Sequence, residues 1–308
     1  MLLLMTVLLS CLTQAQSWVQ SSILRQHFNY QLGQVFVMPT HQIAGVKVYG
    51  IDLFDTPAST VASLNAAGLV PICYFSTQYE NWRPDNLSFP ASALGSNLDN
   101  WGGERYVDTR RIEIRNIMAA RIQLCKQKGF KAIDPDNTDC FGTCKSGFPL
   151  TASHALQFLQ FLSDTARAAG LGVGLKNSLS LINATTVSMW DFAINEECYR
   201  YNECSLYSPF KKAGKTIFNM EYSNFYSLSK FNSNVCSKVN TFGTVSIRKA
   251  LALLAKPRDA CVLPTLASRH PRHNQAQVPP LEPAHHPHLH SGHPQVPSLA
   301  LTKFATSC

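Results

Sequence analysis

From about residue 46 onward, short apolar runs alternate with longer amphipathic stretches, a pattern that predicts repeated strand–helix pairs. Val48 to Phe54 reads as a first strand. Thr56 and Pro57 then supply an N-cap and a proline at the first helical position, Val61 and Leu64 form an apolar stripe, and Gly68 closes the helix. Leu69 to Phe75 is a second strand and Glu104 to Asp108, after a long polar loop, a shorter third. Arg110 to Lys128 is a helix with Ile114, Ile117, Met118, Ile122 and Cys125 at helical spacing and Gly129 at its end.

The fourth strand, Phe130 to Ile133, runs into an acidic cluster, Asp134, Asp136 and Asp139. A helix from Ala152 to Ala169 follows, with Leu156, Leu159, Phe161 and Leu162 apolar. Leu171 to Asn177, Asp191 to Asn195 and Lys215 to Glu221 are the fifth, sixth and seventh strands. Thr241 to Ser246 is the eighth, followed by a helix through Leu254. Eight such units predict a single closed (β/α)8 TIM barrel, a fold of ~250 residues. An open doubly wound sheet is the rival, but no Gly-x-Gly-x-x-Gly follows the first strand, so its dinucleotide-binding form is disfavoured.

The ends differ from this middle. Residues 1–15 are a short apolar run closing on small residues, the pattern of a cleaved secretory leader and too short to span a bilayer. Residues 16–45 form an N-terminal segment, residues 46–261 the barrel, and residues 262–308 a Pro/His-rich tail expected to be disordered. Cysteine usage agrees with export: Cys140/Cys144, Cys198/Cys204 and Cys236/Cys261 read as disulfides. Cys73 and Cys125 lie in apolar contexts and read as buried thiols, with a fourth bridge as the alternative. Asn86-Leu-Ser88 and Asn183-Ala-Thr185 are glycosylation acceptors. The net charge of +8 is spread along the chain without a Lys/Arg run, which argues against a nucleic-acid partner. The expectation is a secreted monomer with neither a membrane nor a nucleic-acid partner.

In a barrel of this kind the active site is built where strands end. Those positions hold Asp52, then Tyr74 and Glu80, then Asp108, then Asp136 with Asp134 and Asp139 beside it. Lys176 and Asn177, Glu196 and Glu221 follow. Like charges this close gain no stability from one another, so their concentration points to ligand chemistry. Carboxylates, a lysine and the aromatics Tyr74, Trp82 and Tyr222 suit a polyhydroxylated ligand, and glycoside hydrolysis requires a carboxyl pair. An EF-hand fails at the acidic cluster, because Thr138 and Asp139 occupy its fifth and sixth positions. No metal triad and no Gly-x-Ser-x-Gly elbow occurs, and neither a cofactor nor a metal is expected.

Nine ordered segments carry a family resemblance. They are Tyr49-Gly-Ile-Asp-Leu-Phe-Asp55, Ile72-Cys-Tyr-Phe-Ser76, Glu80-Asn-Trp-Arg-Pro-Asp85, Trp101-Gly-Gly-Glu-Arg105 and Asp134-Pro-Asp-Asn-Thr-Asp139, then Gly147-Phe-Pro-Leu-Thr151, Gly174-Leu-Lys-Asn177, Asn195-Glu-Glu-Cys198 and Asn219-Met-Glu-Tyr222. Together they resemble the endo-α-1,4-polygalactosaminidase family of glycoside hydrolases. The resemblance implies a TIM barrel cleaving α-1,4 linkages in a galactosamine-containing polysaccharide, with Asp136 as nucleophile and Glu196 as general acid/base. It assigns substrate binding to Asp52, Lys176 and Glu221 and pocket shaping to Asp134 and Asp139. The chain departs from the family pattern in a shorter Ser76–Glu80 loop, in Asp134 where glutamate is common and in Glu197 where glutamine is common. A barrel that binds carbohydrate without cleaving it is the alternative.

Overall fold

Strands buried on both faces need apolar side chains pointing both ways, and this is how the central sheet is built. The computed structural model describes residues 21–98, 101–256 and 258–262; the expected leader and nearly all of the expected tail lie outside them. The strands are β1 (Phe28–Gln31), β2 (Val48–Asp52), β3 (Val70–Ser76), β4 (Tyr79–Glu80), β5 (Leu94–Asn97) and β6 (Glu104–Val107). After them come β7 (Ala132–Asp136), β8 (Gly172–Lys176), β9 (Phe192–Glu196), β10 (Thr216–Tyr222), β11 (Thr244–Lys249) and β12 (Arg258–Ala260). The sheet order is β1-β2-β3-β7-β8-β9-β10-β11-β12, and every pairing from β1 to β11 is parallel. This is the expected TIM barrel.

At the seam β12 runs antiparallel on β11, and side chains reach across to β1. Lys249 Nζ donates to Asn29 Oδ1 at 2.8 Å, and Arg258 Nε donates to the Phe28 carbonyl at 2.7 Å.

Alternation sorts residues between two cores. Phe28, Tyr30, Val48, Ile72, Phe192, Phe218 and Ile247 pack together as one cluster, while Tyr49, Ile51, Cys73, Ile133 and Val173 pack in the cluster shared with the helices. Gly50 is fixed by contact: a Cβ there would run into the Tyr30 ring. The helices are α1 (Ala58–Ala66), α2 (Ile112–Lys128) and α3 (Ala152–Ala168), followed by the shorter α4 (Ser208–Lys212), α5 (Leu228–Asn234) and α6 (Val239–Phe242). Gly129 ends α2 in the left-handed conformation that a residue with a side chain resists. Thr151 caps α3, accepting from the His154 backbone N–H while His154 Nδ1 accepts from Thr151 N.

Two expectations about elements are corrected. Glu104 to Asp108 is not a barrel strand: β6 pairs antiparallel with β4 and β5 in a separate three-stranded sheet. In the barrel β3 pairs directly with β7, and the eighth parallel strand is β1, beside β2 and ahead of the residue where the alternation becomes readable. The helix expected through Leu254 is absent: β11 runs on to Lys249, and residues 250–254 are turn and coil. Four disulfides are present among the described residues: Cys140–Cys144, Cys198–Cys204, Cys236–Cys261 and Cys73–Cys125. The last ties β3 to α2, so the fourth bridge forms and the two-thiol reading is overturned.

Candidate active site

Parallel strands deliver their C-terminal ends to one rim, and Asp136, Lys176 and Glu196 are the final residues of the consecutive strands β7, β8 and β9. Lys176 Nζ lies 3.0 Å from Asp136 Oδ2 and 3.7 Å from Glu196 Oε1. Those two carboxylate oxygens therefore lie no further apart than the two distances added together. Burial works against the Lys176 charge, but Asp136, Glu196 and Asp134 outweigh it and raise its pKa, so it stays a cation.

Each carboxylate is also oriented by neutral donors. Asp136 accepts from the Tyr74 hydroxyl at 3.0 Å and from the Asn137 backbone N–H at 2.7 Å. Glu196 accepts from the Tyr222 hydroxyl at 2.7 Å, and its backbone N–H donates to Asn177 Oδ1 at 3.0 Å. Asp134 sits two residues before Asp136 on β7, so it faces the same way one layer deeper. It is fully buried, with the Tyr30 hydroxyl donating to its Oδ2. Burial raises Asp134 to about 7; Asp136 and Glu196 add to the rise, against Lys176 and the Tyr30 hydrogen bond.

A cavity of about 620 Å³ opens over this group, and the carboxylates of Asp52, Glu80, Asp136, Asp139 and Glu196 line it together with Tyr74 and Asn177. Trp82, Trp101 and Tyr222 add aromatic surface, and Trp82 and Trp101 are more than half exposed. Leu251, Ala252 and Leu253, expected on a helix, line it as part of the turn after β11.

Four expected sugar-binding residues are placed differently from the expectation. Asp52 and Glu80 line the cavity but are held by Arg83, whose NH2 lies 2.6 Å from Asp52 Oδ2 and whose Nε lies 2.9 Å from Glu80 Oε1. Asp52 Oδ1 also accepts from the Phe54 and Asp55 backbone N–H groups. Asp108 does not join the cavity lining; it pairs with Arg110 two residues on, which holds its carboxyl below the usual range. Glu221 is also absent from the lining. It is fully buried, accepting from the Tyr199 N–H at 3.0 Å and from Asn219 Nδ2 at 3.1 Å.

Two residues escaped the reading of strand ends. Arg83 lies in the loop after β4, and Glu104 begins β6 rather than ending a strand; both line the cavity. The signal available for each was its place in a quoted segment, Glu80–Asp85 and Trp101–Arg105.

The model of glycoside-hydrolase family GH114 matches residues 9–265. The crystal structure of Aspergillus fumigatus Ega3 in complex with galactosamine is 31% identical, with a TM-score of 0.72 over 77% of this chain and 96% of that one. The glycoside hydrolase domain of PelA from Pseudomonas aeruginosa is 10% identical, with a TM-score of 0.58 over 76% of this chain and 98% of that one; this likeness is one of fold. Comparison with curated protein sequences finds no match.

Proposed function

The chain belongs to glycoside-hydrolase family GH114 and is a glycoside hydrolase; from that premise we propose that it cleaves α-1,4 linkages in a galactosamine-containing polysaccharide, with Asp136 and Glu196 as its carboxyl pair. The observation that carries the reading is the shared cation. Lys176 holds Asp136 and Glu196 at the ends of strands separated only by its own, with both carboxylates open to one cavity.

Roles follow from contacts. Asp136 receives three donors, one of them cationic, which suits a fixed anionic nucleophile beneath the sugar. Glu196 is the more exposed of the two and further from Lys176, which suits a group that exchanges protons with the leaving oxygen and with water. In the first step protonated Glu196 gives its proton to the glycosidic oxygen as the C1–O bond breaks and Asp136 bonds to C1. In the second, Glu196 takes a proton from water, whose oxygen bonds to C1 and releases Asp136. The limit set by the two Lys176 distances, 3.0 and 3.7 Å, favours the closer spacing of ~5–5.5 Å that retention uses over the ~6.5–9.5 Å of inversion.

Galactosamine is the substrate unit favoured by charge. The cavity is lined with several carboxylates and, among the described residues, the one cation Arg83, while Lys176 is paired with Asp136 and Glu196, and a de-acetylated amino sugar is itself a cation. Four disulfides support an oxidising, extracellular site of action. Among the described residues no helix is long and apolar enough to cross a membrane.

The test is incubation with partially de-acetylated α-1,4-galactosaminan, comparing the wild type with Asp136→Asn and Glu196→Gln. Glu196→Gln is expected to slow oligosaccharide release by about 100- to 10,000-fold, the range of a lost general acid, and Asp136→Asn at least as much. NMR of the first-formed anomer reads out retention. Undiminished release by either variant would remove that residue from the pair.

A further inference from the structure

A second cavity, of about 490 Å³, opens on the three-stranded sheet beside the catalytic one, and its volume is that of a small-ligand site. Tyr79 of β4, Asn97 of β5 and Arg105 of β6 line it, together with Leu94, Leu98 and Trp101. Trp101 is more than half exposed and lines both cavities, so the second continues the first. Gly103 lies at their border at positive φ. A Cβ there would stand 2.7 Å from Asn81 Oδ1 and 2.9 Å from the Trp82 ring, so no side chain can be added at that point without displacing the wall.

The chemistry of this groove differs from that of the catalytic cavity. Among the described residues no carboxylate lines it, and its one formal charge is the Arg105 guanidinium. Arg105 is fixed in place: Nε donates to the Gly95 carbonyl at 2.9 Å and NH2 to the same oxygen at 2.8 Å. NH2 also donates to the Leu94 carbonyl at 3.2 Å. Its NH1, the side-chain amides of Asn81 and Asn97 and the Tyr79 hydroxyl make no hydrogen bond among the described residues.

These groups select a ligand. Amides that both donate and accept, beside an exposed indole, suit the hydroxyls and the apolar face of a sugar ring. Charge narrows the choice. A fixed guanidinium with no acid in the same lining opposes an ammonium group, whereas it can donate to the carbonyl oxygen of an acetamide. Leu94 and Leu98 offer apolar surface to the acetamide methyl. A polysaccharide cut at an internal linkage extends beyond the cavity that cuts it, and Trp101 leads from that cavity into this groove.

We infer that the groove on the three-stranded sheet is a second carbohydrate site, which takes an uncharged, N-acetylated unit of the chain whose scissile linkage lies in the catalytic cavity. This rests on the polysaccharide reading of the active site. The groove takes no part in the chemical step. It adds affinity for the polymer through a unit remote from the bond that breaks.

The experiment compares fully de-acetylated with partly N-acetylated α-1,4-galactosaminan, in calorimetric binding to the full chain and in cleavage by it. Asn97 carries the test, because it is exposed, lines the groove and is absent from the lining of the catalytic cavity. Asn97→Ala is expected to weaken binding of the partly acetylated polymer roughly three- to tenfold, the scale of one lost hydrogen bond, and to raise its KM alike with kcat unchanged. The de-acetylated polymer should bind as it does to the wild type. Asn97→Asp, which sets a carboxylate across from Arg105, should shift the preference toward the de-acetylated polymer. Equal losses on both polymers, or none on the partly acetylated one, overturn the groove even if the wild type cleaves both. A loss confined to the partly acetylated polymer, with no cleavage by the wild type, upholds the groove and overturns the proposed reaction.

Discussion

The Tyr30 hydroxyl donates to Asp134 Oδ2 across 2.5 Å and joins β1 to β7, two strands that are not neighbours in the sheet. The same hydroxyl accepts from Lys176 Nζ at 3.4 Å, so it supports the cation that spans the carboxyl pair. Asp134 Oδ1 already lacks a partner, and losing this donor would leave the whole carboxyl unsatisfied. Tyr30→Phe is therefore expected to cost about 1–3 kcal/mol of stability and to lower kcat. Urea unfolding monitored by circular dichroism, with kinetics on the same preparation, checks both; an unchanged midpoint would mean the contact is idle.

Removing the cation should be more severe for catalysis. In Lys176→Met the cavity-lining Asp136 and Glu196 lose their common partner and the buried Asp134 loses a nearby cation, while the stem volume is kept. A fall in kcat of about 100- to 1,000-fold is expected, the scale of losing one preorganised donor. Because Lys176 holds both carboxyls, combining it with Asp136→Asn should add far less than the product of the single effects. A fully multiplicative double mutant would show that the three do not act as a unit.

Arg83 is the structural counterpart of Lys176. Its guanidinium joins Asp52, Asp55 and Glu80, and truncation leaves two buried acids without it. Arg83→Ala should destabilise by about 3–5 kcal/mol, as breaking a buried pair does. Arg83→Lys should recover only part, since an ammonium cannot reproduce the fork on Asp52. Equilibrium denaturation of the two variants tests the ranking, and equal midpoints would contradict it.

Stability should also fall as pH rises through the weakly acidic range. Burial raises both Asp134 and Glu221 to about 7, from ordinary values of 3.8 and 4.5. Below the ordinary values both states are protonated and this contribution is complete. Between them and about 7 the native chain keeps protons that the unfolded chain gives up, so native stability declines with rising pH and then levels off. Glu221→Gln removes one such group and should flatten the plot of Tm against pH in that window. A slope identical to that of the wild type would show that Glu221 does not titrate there.

Much of this was present in the order of residues alone. Strands buried on both faces leave apolar runs in the sequence, so β2, β3, β7, β8, β9 and β10 were readable. Parallel strands end at one rim, which brought Asp136, Lys176 and Glu196 together as candidates before any contact was known, and the fold does gather them: Lys176 pairs with both carboxylates, and Asp136 and Glu196 line the cavity. β1 was not readable. It is four residues long, and its polar Asn29 is buried only because Lys249, 220 residues away, donates to it. Glu104 to Asp108 looked like a barrel strand because β4 and β5, which pair with it, are too short and polar to announce a second sheet.

The sequence by itself determined which chemistry is available: a repeating barrel pattern and a set of acids at strand ends. Only the tertiary structure decided which of those acids are free to act. Neutralisation is a matter of distance in space, set by Arg83 for Asp52 and Glu80, by Arg110 for Asp108 and by burial for Glu221. By the same rule Glu104 is left unanswered in the cavity that Asp136 and Glu196 share.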